Sequence, residues 1–171
     1  MVGRGDLVTL TQADEQGQHP IPTTELLNGL YINELILRLT PQLTPQLKLF
    51  QAYQQTLHRL TNRETNPQAV MRFELYFLEI LGYKFNLYHD DISTEKIEAS
   101  YFYRYIPEQG MIKTEPNIQQ ENGFIISGVL LIALRDLQSM QFENWQELRT
   151  FLDRLMTYLV GKPINSRRFI S

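Results

Sequence analysis

Lys162, Arg167 and Arg168 close the chain as a run of cations with no acidic residue after Asp153. Guanidinium and ammonium groups so placed can hold phosphate oxygens or the carboxylates of an acidic peptide. The plainer account is a helix exit dressed with cations, because the dipole and free carbonyls there favour positive charge. Tyr101, Tyr103 and Tyr105 raise a similar choice. Aromatic faces can stack the bases of a single strand, but such tyrosines more often pack a hairpin onto helices with their hydroxyls reaching water.

Catalysis finds no support. His19, His58 and His89 stand apart in sequence. Neighbours such as His89-Asp90-Asp91 converge on one ion only if the loop distorts, so they read as a solvated loop and no metal is expected. Glu74 and Glu79, five apart on a helix, diverge and make no acid–base pair. Glu34 and Arg38, four apart, read as a surface ion pair of about 0.3–0.5 kcal/mol. No serine sits in a nucleophile elbow and no glycine pattern cradles phosphate. Without cysteine, disulfides, thiolate chemistry and cysteine zinc sites are excluded. A non-enzyme without cofactor is expected.

The elements that must position these groups are mostly helical. A first helix is predicted from Thr24 to Leu39, with Thr23 as N-cap and Pro41 ending it. Leu26, Leu27, Leu30, Tyr31, Leu35, Ile36 and Leu39 ring most of it, predicting deep burial. Thr44-Pro45 reads as an N-cap and first helical residue. Phe50, Tyr53, Leu57 and Leu60 then form an apolar stripe. Asn66-Pro67 starts a third helix, with Val70, Phe73, Phe77 and Ile80 as its stripe and Gly82 as its left-handed stop. Tyr101 to Ile106 has the period of a strand, Pro107 to Gly110 a turn, and Met111 to Lys113 a returning strand. Glu115 to Asn122 reads as loop. Ser127 or Gly128 to Leu137 reads as a short helix. Asn144 with Glu147 resembles a capping box for the last helix, whose seam is Leu148, Leu152, Leu155 and Leu159. The expected fold is mostly α, about five helices with a small β-hairpin, preceded by one short strand at Leu7 to Leu10.

With 171 residues, 43% hydrophobic and 20% charged, the chain suits one globular core. A formal net charge of -3 argues against a chain-wide electrostatic grip on nucleic acid. No apolar run approaches the roughly 20 residues of a membrane span, and the N-terminus lacks the layout of a secretory signal. A cytoplasmic protein without membrane contact is expected.

Three stretches, Gly29-Leu30-Tyr31-Ile32-Asn33-Glu34-Leu35, Arg72-Phe73-Glu74-Leu75 on to Leu81-Gly82-Tyr83, and Gly161-Lys162-Pro163-Ile164-Asn165-Ser166-Arg167-Arg168, together with Tyr103-Arg104-Tyr105 through Gly110, resemble in order and spacing the C-terminal helical domain of the RecO family of recombination mediators. The resemblance runs from about Pro22 to Arg168. It implies a RecO-like helical domain over 21–171 and, over 1–20, a remnant of the last strand of an OB-fold with a linker. It also implies a non-catalytic role in DNA repair and homologous recombination, in the RecF pathway. The implied partners are DNA, weakly for this form, the acidic, apolar C-terminal tail of the single-stranded DNA-binding protein, and RecR. A helical adaptor without DNA contact is the alternative. Carried onto this sequence, the binding residues are Arg72, beside the tail-binding groove, and Lys162, Ser166, Arg167 and Arg168. Val160, Asn165 and Met71 depart from the family's usual glycine and basic residues. The cysteine zinc site of many relatives is missing, so packing must hold the hairpin.

Overall fold

The computed structural model describes residues 12, 19–41, 45–62, 66–115, 123–138 and 140–166. The strand expected at Leu7 to Leu10, the Thr44 cap, most of the loop after Glu115, and Arg167 and Arg168 lie outside them. A single turn of 3-10 helix, Thr23–Glu25, leads into α1 (Leu26–Leu39), followed by α2 (Leu47–Thr61) and α3 (Asn66–Ile80). Strands β1 (Phe102–Ile106), β2 (Gly110–Thr114) and β3 (Phe124–Ser127) come next, then α4 (Gly128–Ala133) and α5 (Phe142–Val160). The fold is mostly helical, as expected. The hairpin is one strand larger than expected: β1 lies between β2 and β3, both antiparallel to it. Phe124–Ser127 is too short and too apolar to show a strand period, and it runs straight into α4.

Helix boundaries follow local chemistry closely. Gly82 (φ 91°) ends α3. Its N–H donates to the Glu79 carbonyl and that of Tyr83 to the Leu78 carbonyl, the paired hydrogen bonds of a Schellman stop. Three starts differ from expectation. Thr23 does not cap α1; the 3-10 turn precedes it and Glu25 takes the cap position. Helix α2 begins at Leu47 rather than beside Pro45. Helix α5 begins at Phe142, where the Gln141 and Asn144 side chains form the reciprocal box. Glu147 therefore lies a turn further in, and its carboxylate accepts the Ser127 N–H (2.7 Å) and hydroxyl (2.8 Å). Ser127 in turn caps α4, accepting the Leu130 N–H at 3.0 Å.

The core joins one side of each helix to one face of the sheet. Leu148, Leu152 and Leu155 of α5 have no exposure, nor do Phe77 and Leu78 of α3. Tyr103 and Tyr105 are buried, so two of the three tyrosines pack rather than present a stacking platform. Phe85 meets the rings of Tyr105 and Phe151 edge-on at 4.8 and 5.5 Å. Burial first, then Tyr83 and Asp91, pushes the Tyr105 hydroxyl up to about 12. Tyr101 is exposed, with the Lys113 ammonium 3.3 Å from its ring centre. Helix α1 is not buried all round: Tyr31, Ile32 and Leu35 face inward, while Leu26 and Leu30 face out. Phe50 of α2 also faces out.

Two carboxylates do unexpected work. Glu74, fully buried, receives Arg149 of α5 through two hydrogen bonds of 2.7 and 2.8 Å, and accepts the Tyr31 hydroxyl of α1. Asp90, read as part of a solvated loop, is buried. It accepts the N–H groups of Ile92 (2.7 Å), Ser93 (2.6 Å) and Lys113 (2.5 Å). Asp91 accepts the Met111 N–H at 2.6 Å. Met111 and Lys113 alternate along β2, so the pair satisfies donors on its outer edge, a place where unpaired strands invite aggregation. Among the described residues no group of three His, Asp or Glu gathers for a metal. Among the described residues, too, no helix is long and apolar enough to cross a membrane.

Replacing Glu74 by Ala takes from the Arg149 cation its buried partner, leaving it Asp153, and should cost about 3–5 kcal/mol in urea unfolding; a loss under 1 kcal/mol would show that the pair does not hold the helices together. Burial acts to raise the Asp90 carboxyl, but the hydrogen bonds from Lys113, Ser93 and Ile92 outweigh it and hold the group below its ordinary 3.8. Its stabilisation is therefore complete above the unfolded value and disappears as pH falls through the lower folded one. Asp90→Ala should lose roughly 1–3 kcal/mol at neutral pH, with the gap to the parent narrowing in acid.

Candidate partner-binding groove

Helix α2 is amphipathic, so the side turned from its Leu57 and Leu60 core contacts carries Lys48, Gln51, Gln55 and Arg59. Packed beside α3, this side becomes one wall of a groove of about 440 Å³. Arg72 and Tyr76 of α3, one turn apart, line it as well. Phe73, Leu87, Leu134 and Leu137 supply apolar lining. That volume lies within the roughly 300–1,000 Å³ of ordinary ligand clefts.

The groove's electrostatics favour an anion. Among the described residues Lys48, Arg59, Arg72 and Lys84 line it against one lining acid, Glu79, which lies 3.8 Å from Lys84. Arg72 is held in place: it donates to the Leu137 carbonyl at 2.9 Å, and its guanidinium sits 5.3 Å from the Trp145 ring centre. Burial and then the positive charge of Arg59 push the Arg72 guanidinium below its ordinary value, with Asp136 offsetting part of this. A carboxylate entering beside Arg59 and Arg72 relieves that repulsion, and its bidentate fit to guanidinium adds direction.

The C-terminal motif occupies another place. Gly161 (φ 65°) adopts the left-handed turn that ends α5 and needs no Cβ. Lys162 follows, exposed, and Ile164 returns to the core. The next turn is gripped by α1. The Glu34 carboxylate accepts the N–H of Asn165 (2.9 Å), the N–H of Ser166 (2.8 Å) and the Ser166 hydroxyl (2.5 Å). Arg38 pairs with Glu34 at 2.6 Å and donates to the Pro163 carbonyl at 3.0 Å. Burial works to raise the Glu34 carboxyl, but Ser166, Asn165 and Arg38 together hold it below the usual range. The pair expected to be a simple surface contact is a clasp.

Of the binding residues expected from sequence, Arg72 lines the groove, while Ser166 is held in the α1 clasp and Lys162 is exposed just after Gly161, and neither lines the groove. Arg59 and Lys48 went unremarked in the sequence, although their spacing along the polar side of α2 carried the signal. Glu34→Ala should release the 165–166 turn, raising amide hydrogen exchange at Asn165 and Ser166 at least tenfold while leaving α3 amides unchanged. Unaltered exchange at both would remove the clasp from this description.

The family model for the recombination protein O C terminal matches residues 24–168. The chain is 33% identical over 171 residues to the DNA repair protein RecO of Azoarcus sp. (strain BH72), covering 98% of this chain and 70% of that protein. It is 32% identical over 171 residues to the DNA repair protein RecO of Coxiella burnetii (strain RSA 331 / Henzerling II), covering 98% and 72%. With the DNA repair protein RecO of Nitrosococcus oceani the identity is 34% over 167 residues, covering 96% and 67%.

Proposed function

This chain belongs to the recombination protein O family, whose named relatives are DNA repair proteins, and from that membership we propose a non-catalytic recombination mediator that works by binding in the cytoplasm. Its first partner is the acidic, apolar C-terminal tail of the single-stranded DNA-binding protein. The observation that carries this reading is the groove between α2 and α3, where apolar lining from Phe73, Leu134 and Leu137 adjoins the cations of Arg59 and Arg72. An aromatic tail residue buries against the former while tail carboxylates meet the latter.

DNA and RecR are its further partners. Lys162, Arg167 and Arg168 supply phosphate contacts, and Ser166 contributes through the turn it fixes with Asn165. With a net charge of -3, the grip on DNA is weak and steeply dependent on salt. The domain 21–171 does this work, and 1–20 belongs to an OB-fold edge and its linker.

A fluorescent peptide ending Asp-Asp-Asp-Ile-Pro-Phe should bind saturably at sub-millimolar protein, more weakly as salt rises. Arg59→Glu should weaken it at least tenfold, about 1.4 kcal/mol, with the helical circular dichroism preserved. No saturable binding, or equal binding by the variant, would reject the groove as the tail site. Retained peptide binding with no single-stranded DNA binding at low salt would favour an adaptor without DNA contact.

A further inference from the structure

A second cleft adjoins the groove and has the opposite character. It encloses about 740 Å³ between the loop after α3 and the turn joining β1 to β2. Lys84, Phe85 and Leu87 line both spaces. Among the described residues the cleft's lining carboxylates are Asp91 and Glu108, and its lining cation is Lys84. Lys84 reaches back to Glu79 at 3.8 Å. Arg135, near the rim, does not line the cleft; it donates to the Leu87 carbonyl at 2.9 Å and rests 4.8 Å from the Tyr88 ring centre.

Asp91 is fixed in place as an acceptor. Its two oxygens take the Asn86 amide at 2.9 Å and the Met111 N–H at 2.6 Å, one donor each. A carboxylate oxygen has room for a second donor. Gly110 (φ 94°) permits this placement, because a Cβ there would come within 2.2 Å of the Asp91 carboxylate. Glu108, in the same turn, keeps a φ of 70°, which suits glycine and costs other residues.

Tyr105 gives an independent sign of a ligand. It is 2% exposed and lines the cleft, with its ring held edge-on by Phe85 at 4.8 Å and Phe151 at 6.4 Å. Among the described residues its hydroxyl has no hydrogen-bond partner. A buried hydroxyl left so forfeits free energy that an entering donor restores. After burial and Tyr83, the charge of Asp91 also acts on that hydroxyl, so carboxylate and hydroxyl face the same space.

We propose that this cleft takes an arginine side chain presented by a partner protein. A guanidinium carries five donors in one plane, enough to reach the free acceptor sites of Asp91, Glu108 and the Tyr105 hydroxyl together. It also lies flat on aromatic faces, which an ammonium does less well; the rim already shows that preference in the Arg135–Tyr88 contact. The two carboxylates repel anions, so groove and cleft sort ligands by charge. The cleft's ligand is independent of the acidic tail assigned to the groove.

The test titrates the isotopically labelled full chain with N-acetyl-arginine N-methylamide at low salt. The titration runs to about 20 mM, well past a millimolar dissociation constant. Amide shifts should saturate at Asp91, Gln109, Gly110 and Met111. The citrulline analogue, uncharged but of the same shape, should give none. Tyr105→Phe removes only a hydroxyl that bonds nothing in the fold, and Glu108→Gly removes a carboxylate while relaxing its backbone. Each should raise the half-saturating concentration at least about threefold, with a cooperative thermal transition retained. Missing or unsaturable shifts at these amides with the arginine probe overturn the proposal. So does an equal response to citrulline, or unchanged binding by both variants.

Discussion

Glu74 has no contact with water, and a carboxylate in that position must be neutralised and hydrogen-bonded or the fold fails. Arg149 and the Tyr31 hydroxyl meet that requirement from two other helices. Burial pulls the Arg149 guanidinium down, yet Glu74 and Tyr31 outweigh it and hold the charge above its ordinary value. Asp153 takes the guanidinium's remaining side. Such a buried pair is weak evidence for stability, since apolar replacements often do as well. Its consequence here is geometric. Leucine seams tolerate sliding, but a forked guanidinium on a carboxylate admits one register, so α1, α3 and α5 are fixed against each other.

The same link explains why three distant stretches of sequence occur together. Tyr31 belongs to the first, Glu74 to the second, and the two touch. Glu34, also in the first, grips Asn165 and Ser166 in the third. Helix α1 is thus the hub: its inward side locks the core and its Glu34–Arg38 edge sets the path of the chain past Gly161. Five of the chain's 19 acidic residues are engaged in this way. Glu34, Glu74, Asp90, Asp91 and Glu147 all face the protein's own donors, so a chain of net charge -3 still presents a cation-rich groove.

Features encoded by neighbouring residues were legible in the sequence. The apolar seam of α5, the stop at Gly82, and the β1–β2 hairpin depend on periodicity and turn chemistry within a few residues. Features encoded by contacts over long separations were not. Nothing local marks Glu74 as buried, because its partners lie 43 and 75 positions away. Apolar residues around most of α1 suggested deep burial, whereas the fully buried side is the one bearing Tyr31, Ile32 and Leu35. The groove was partly visible: Arg72 came from resemblance, but Arg59 acquires meaning only when α2 lies beside α3.

We propose that this body holds an acidic, aromatic-ended peptide between α2 and α3. Chemical-shift mapping of the isotopically labelled chain, titrated with such a peptide, tests it most directly. Shifts should concentrate at Arg59, Arg72, Phe73 and Leu137, with the amides of Asn165 and Ser166 little changed. Shifts gathered around Lys162, or spread evenly over the surface, would contradict it.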